Sequence, residues 1–192
     1  MLELCLGLAL LLGVHSIRIG ADGWRSRCVE RFGLKAWKAG YALASLAGFA
    51  LIVHGFGLAR AEPVLIWPAP VWARHLAALA TLAAFILLAA SHVKGSVLRA
   101  RSGHPMVAGT LIWALAHLAA TGKLHDLVLF GAFALWALVD FVSLRARDQR
   151  QSTPPARTAL LRDAIAVGAG TAAWALFAWL LHGWLIGVRP FG

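Results

Sequence analysis

The sequence predicts an all-α protein, a polytopic membrane helical bundle. Of its 192 residues, 60% are hydrophobic and only 14% are charged, whereas a water-soluble domain carries about 25% charged residues. Long apolar runs alternate with short basic segments, and no polar stretch is long enough to form a separate soluble domain. We therefore predict a single transmembrane domain over residues 1–192, with the lipid bilayer as its main surroundings.

Six apolar blocks predict six transmembrane helices, since roughly 20 apolar residues cross a bilayer. The first block is interpreted as a helix and not as a cleaved signal, because the acidic Glu3 stands where a signal peptide is positively charged. A Pro-rich connector over residues 62–70 separates the second block from the third, since proline cannot continue a helix. The predicted spans cover residues 2–19, 37–58, 72–93, 105–121, 124–144 and 164–188, and the basic segments 20–36, 94–103 and 145–162 are predicted as loops, the last as a flexible linker.

The distribution of positive charge predicts how these spans are oriented. Fourteen of the 18 Lys and Arg residues lie in or beside the first, third and fifth loops, and cytoplasmic loops are the ones enriched in Lys and Arg. Both termini are therefore expected on the non-cytoplasmic side of a bacterial inner membrane. The formal net charge of +10 is explained by this pattern. No basic patch interleaved with aromatic residues is present, so nucleic-acid binding is not expected.

Histidines inside the apolar blocks are the candidate functional residues. His104 and His117 stand near opposite ends of the fourth block, and thirteen residues of helix place them roughly 20 Å apart. They therefore cannot hold one metal ion together. His15 and His54 are embedded in the first and second blocks. Because a buried imidazole without a partner costs a few kcal/mol, and because neutral imidazoles bind haem iron and transition metals, we predict a cofactor site built from His15, His54 and His117.

The expected depths leave the pairing of these histidines open. His15 and His117 differ in depth by roughly 9 Å at 1.5 Å per helical residue, while His54 and His117 lie closer in depth. Asp140 is expected to pair with a cation such as Arg18 or Arg101, or else to relay protons. The other histidines are interpreted as interfacial or hydrogen-bonded residues: His75, His92, His125 and His182. This interpretation is weakest for His182, which lies deeper in its apolar block.

A group of residues around the fourth block resembles the signature of the NnrU-like membrane family. The group consists of His104-Pro105, Gly109, Ile112-Trp113, His117 and Gly122. His15 followed by Arg18, then His54, then the run from Trp136 to Asp140, extend the resemblance over nearly the whole chain. The family includes NnrU, linked to nitrite and nitric oxide metabolism, and ζ-carotene isomerase, a haem b enzyme.

The resemblance implies a haem b cofactor and a set of site residues. The implied axial ligands of the haem iron are His15 and His117. The expected depths give His54 and His117 as the alternative pair. His54 and His104 match further histidines of the isomerase branch, and Trp113, Arg18 and Asp140 are the supporting polar residues.

Three functions follow from these features as expectations. The first is a haem-binding membrane protein with a redox or isomerase-like role in nitrite and nitric oxide metabolism (denitrification), whose partner is a nitrogen-oxide reductase system or an apolar small molecule. The second is a non-catalytic membrane factor that assists assembly of a reductase. The third is a small-molecule or proton transporter that uses His104, Asp140 and Arg18.

Overall fold

The computed structural model describes residues 1–151 and 159–191, and these residues are almost entirely helical. The helices are α1 (Leu2–His15), α2 (Ile17–Gly20), α3 (Asp22–Phe32), α4 (Leu34–Ala61), α5 (Val71–His92), α6 (Val97–Ser102), α7 (Pro105–Ala120), α8 (Leu124–Gln151), α9 (Leu160–Leu176), a π-helical turn (Phe177–Leu181) and α10 (His182–Ile186). The predicted all-α class is confirmed. An isolated antiparallel bridge joins Leu65 to Lys123.

Among the described residues, four helical segments are long and apolar enough to cross a membrane. These segments are Leu34–Ala61, Val71–His92, Leu124–Arg150 and Leu160–Ile186. They correspond to the second, third, fifth and sixth predicted spans. The first and fourth predicted spans form the shorter apolar helices Leu2–His15 and Pro105–Ala120. The coarse prediction of an integral membrane protein is thereby supported.

Several boundaries differ from those expected. The predicted loop over residues 20–36 contains α3, and the predicted loop over residues 94–103 contains α6. The predicted linker over residues 145–162 begins as helix, because α8 continues to Gln151. Its residues 152–158 lie outside the described part of the chain. The sequence predicts a loop where the apolar residues stop. Arg and Gln are good helix formers, so a helix can continue past that point.

The chain divides into two compact units. The first unit combines Met1–Trp67 with Gly122–Trp136, and the second combines Pro68–Thr121 with the chain from Ala137 onward. In the first unit α1 packs along α4, and Leu4, Leu8 and Ile52 form its buried core. Glycines bring these two backbones together, since a Cβ at Gly7 would lie 2.6 Å from the backbone nitrogen of Ile52. Small residues allow such close packing of membrane helices.

In the second unit, α5 packs against both α7 and α9. Its contacts again use small residues: a Cβ at Gly109 would lie 2.9 Å from the carbonyl oxygen of Ala84, and Ala84, Ala114 and Ala166 are fully buried. Helix α7 starts with Pro105 at its first turn, directly after His104. Proline is well suited to this position because its missing N–H would have no partner inside the helix.

Candidate functional site

His15 ends α1 in the first unit, and its ring is held by the backbone. The Nδ1 atom of His15 lies 2.8 Å from the carbonyl oxygen of Leu11. Because a carbonyl oxygen only accepts hydrogen bonds, Nδ1 carries the proton and the lone pair lies on Nε2. The His15 ring is half-buried, with its centroid 5.2 Å from that of Tyr41 and 6.0 Å from that of Trp136.

A buried donor lies next to this ring. The indole Nε1 of Trp136 is buried and has no hydrogen-bond acceptor among the residues that the structure describes. Buried polar groups are normally hydrogen-bonded, so such an atom requires an explanation. An acceptor atom of a bound group near His15 would supply the missing partner.

His117 in the second unit makes the same backbone contact as His15. Its Nδ1 lies 2.8 Å from the carbonyl oxygen of Trp113, four residues earlier in α7. The same reasoning places the proton on Nδ1 and the lone pair on Nε2. The Trp113 ring stacks at a tilt of 52° with its centroid 5.2 Å from that of His117. The predicted supporting role of Trp113 is therefore to hold the orientation of the imidazole.

His92 makes the same contact between Nδ1 and a backbone carbonyl near the end of α5. Its Nδ1 lies 3.0 Å from the carbonyl oxygen of Leu88, also four residues back, but the side chain is exposed. Histidine side chains near the C-terminal end of a helix can hydrogen-bond to backbone carbonyls there, so this contact alone does not mark a site. His15 and His117 differ from His92 because they are half-buried and have aromatic neighbours.

The other two predicted ligands direct Nε2 toward carboxylates. In the first unit, His54 Nε2 lies 3.3 Å from Glu3 Oε2, and the side chains are 67% and 43% exposed. In the second unit, His104 Nε2 lies 2.8 Å from Asp148 Oδ2. The His104 ring also meets the Phe141 ring edge-on, with centroids 6.3 Å apart. In His15 and His117, by contrast, Nε2 carries the lone pair and Nδ1 is bound to the backbone. His54 and His104 therefore differ from His15 and His117 in what their Nε2 atom contacts.

The predicted charged residues are paired locally. The guanidinium of Arg18 lies 3.4 Å from Asp22, one helical turn away. The carboxylate of Asp140 lies 3.8 Å from Arg147 on the same helix, and both side chains are largely buried. Because α8 extends past its apolar part, Arg147 lies on the same helix as Asp140. The sequence predicts a loop over residues 145–162, which contains Arg147, so this pair was not predicted.

Sequence reasoning missed His125 as a buried residue. His125 lies at the start of α8 in the first unit and is 2% exposed, next to the buried Asp126. Its Nε2 lies 3.7 Å from Asp126 Oδ1, and the Phe56 ring meets it edge-on at 5.1 Å. Because His125 stands at the edge of an apolar block, the sequence predicts it at the membrane–water interface. The adjacent Asp126 was the signal for a buried polar pair, since buried charges in proteins are paired.

Within each unit, the described residues contain no group of three or more His, Cys, Asp or Glu side chains arranged to hold a metal ion. The candidate site therefore consists of individual imidazoles with their supporting contacts. A single imidazole is one of the protein groups that can ligate haem iron, so a three-residue metal cluster is not needed for such a site.

Nearly the whole chain is similar to one known protein family. The family described as NnrU protein matches residues 3–190. The chain belongs to the NnrU family. No curated protein and no solved structure matches it. The family match covers residues of both units, so His15, His54, His104 and His117 all lie within the matched region.

Proposed function

We propose that this NnrU family member binds haem b through intramembrane histidines, with His117 and His15 as separate candidate ligands of the iron. One observation carries the proposal: at both residues Nδ1 donates to the backbone carbonyl four residues earlier. Metal-binding histidines usually donate their second ring N–H to such an acceptor, which fixes the tautomer and the ring orientation.

The chemistry of the donors favours these two histidines over the others. His54 and His104 each direct Nε2 toward a carboxylate, so binding iron through that atom would first require breaking an existing contact. The unpartnered indole N–H of Trp136 beside His15 is a further feature that a bound group with an acceptor atom would satisfy. When bound, haem b supplies an iron for one-electron chemistry or for binding small ligands, and the protein supplies ligation and orientation.

Family membership is the support for the proposed biological role. We propose a redox or isomerase-like role associated with nitrite and nitric oxide metabolism, in the inner membrane of a bacterium. We also propose that all six apolar helices cross that membrane, with both termini outside the cytoplasm. The 14 residues of α1 and the 16 residues of α7 rise about 21 and 24 Å, and each helix packs along a longer span within its own unit.

The deciding experiment is the absorption spectrum of the full chain purified in detergent from haem-replete cells. We expect a Soret band that is weakened or lost in His117→Ala or in His15→Ala, each variant being tested separately. His92→Ala is the matched control, because His92 makes the same contact to the carbonyl four residues back yet lies exposed. This variant should keep the wild-type spectrum.

Two results would overturn the proposal. The first is a colourless wild-type protein that gains no Soret band on titration with haemin. The second is equal loss of haem in all three variants, which would indicate general destabilisation. A colourless protein that co-purifies with a nitrogen-oxide reductase would support the assembly-factor alternative. Proton flux through proteoliposomes would support the transporter alternative.

A further inference from the structure

The last segment of the second unit folds back on the helix that precedes it. The π-helical turn Phe177–Leu181 leads into α10, and Gly187 then takes a left-handed conformation with φ 71°. Glycine adopts this conformation without steric cost, so the chain can reverse. The Nδ1 of His182 lies 2.7 Å from the carbonyl oxygen of Val188, and the Phe191 ring packs on Trp179 with centroids 5.0 Å apart.

This reversal forms a half-open cavity of about 580 Å³. Its walls combine aromatic rings with one cationic side chain: Trp179, Trp184 and Phe191 line the cavity together with Arg189. The Arg189 side chain runs along Gly183, since a Cβ at Gly183 would lie 3.2 Å from Arg189 Cγ. The absence of a side chain at Gly183 therefore leaves room for the arginine beside the helix.

The charge in this cavity is one-sided. Residues 177–191 contain no Asp or Glu, and among the described residues no ion pair involves Arg189. The apolar walls are unusually exposed for large side chains, with Trp184 79% exposed and Leu180 64% exposed. An occupant that fits both features is anionic at one end and apolar along the rest.

We propose that this cavity binds an anionic phospholipid, with the headgroup phosphate on Arg189 and an acyl chain along Trp184 and Leu180. The cavity lies at the end of Leu160–Ile186, a helical segment apolar enough to cross a membrane. Trp is enriched at the membrane–water interface, where such a segment ends. The two parallel N–H groups of an arginine guanidinium match the oxygens of a phosphate. A free phosphate ion would leave the exposed apolar walls uncovered, which is why a lipid is the better occupant. This site is separate from the haem ligand candidates.

Native mass spectrometry of the full chain, released from detergent with added phosphatidylglycerol, tests the site. We expect Arg189→Gln to lower phosphatidylglycerol occupancy about fivefold, because one arginine at an anionic membrane surface contributes a factor of that order. Arg189→Lys should restore part of it, since the charge is kept and the fork is lost. The matched control is Arg74→Gln, which removes an exposed arginine next to the exposed Trp72 at the start of α5.

Three results would overturn the proposal. Equal losses in Arg189→Gln and Arg74→Gln would indicate a general surface effect. Unchanged occupancy in Arg189→Gln would show that the arginine is not a ligand. Full displacement of phosphatidylglycerol by inorganic phosphate would identify a site for small anions in which the acyl chain has no part. A Trp184→Ala variant gives a second measure that leaves the charge intact, and it should also lower occupancy.

Discussion

Gly55 of α4 lies directly against the backbone of Leu4 of α1, so closely that a Cβ on Gly55 would overlap the Leu4 backbone nitrogen. The neighbouring atoms belong to a helix backbone and cannot move like the end of a side chain. Gly55→Ala should therefore destabilise the protein by about 1–3 kcal/mol, the usual cost of overpacking. The measurement is reversible unfolding in mixed detergent micelles, followed by circular dichroism.

Gly57 gives the matched control for this variant. It lies two residues further along the same helix, and a Cβ there would meet no atom within 4 Å. Gly57→Ala should be neutral or stabilising by about 0.5–1 kcal/mol, because alanine loses less backbone entropy in a helix. Equal effects of the two substitutions would contradict the close packing of α1 on α4.

Ser96 should be a stabilising residue of the second unit. It is 1% exposed, its hydroxyl donates to Asp163 Oδ1 at 2.6 Å, and its Oγ accepts from the backbone N–H of Arg99 as the N-cap of α6. Ser96→Ala removes both bonds, so we expect a loss of about 1–2 kcal/mol. Ser102→Ala should change stability by less than about 0.5 kcal/mol, since Ser102 Oγ bonds only to carbonyls of its own helix. Comparable losses in the two variants would contradict the role given to Ser96.

The His104–Asp148 contact should couple the start of α7 to the end of α8. The two side chains are 21% and 52% exposed, so solvent screens the interaction and a coupling of about 0.2–1 kcal/mol is expected. A double-mutant cycle with His104→Gln and Asp148→Asn measures it. The coupling should decrease as salt is added, and additive effects of the two substitutions at low salt would show that the contact contributes nothing.

Cys28 offers a test of the proposed orientation. It lies in α3 as a free, partly exposed thiol, in a segment whose positive charges predict a cytoplasmic location. In a Cys5→Ser background, a membrane-impermeant maleimide should label Cys28 in inside-out vesicles and not in right-side-out vesicles. Cys28→Ser supplies the background signal. Labelling only in right-side-out vesicles would reverse the proposed topology.

Much of the fold could be predicted because its signals are local. The apolar runs predict helices, and the four long segments that the structure supports as membrane spans coincide with predicted blocks. The residues of the NnrU signature could also be identified by position. The ends of helices were less predictable, because α8 continues through a polar segment that is rich in Arg and Gln, which are good helix formers.

The amino-acid sequence by itself determined the helical, membrane-embedded class of this protein, its family and the positions of its histidines. Only the tertiary structure decided that His15 and His117 bind the backbone through Nδ1 while His54 and His104 face carboxylates through Nε2. It also decided that Gly55 and not Gly57 meets a neighbouring helix. The physical reason is that composition and periodicity act within a segment, whereas the carboxylates that face His54 and His104 and the backbone that faces Gly55 belong to residues far away in the chain.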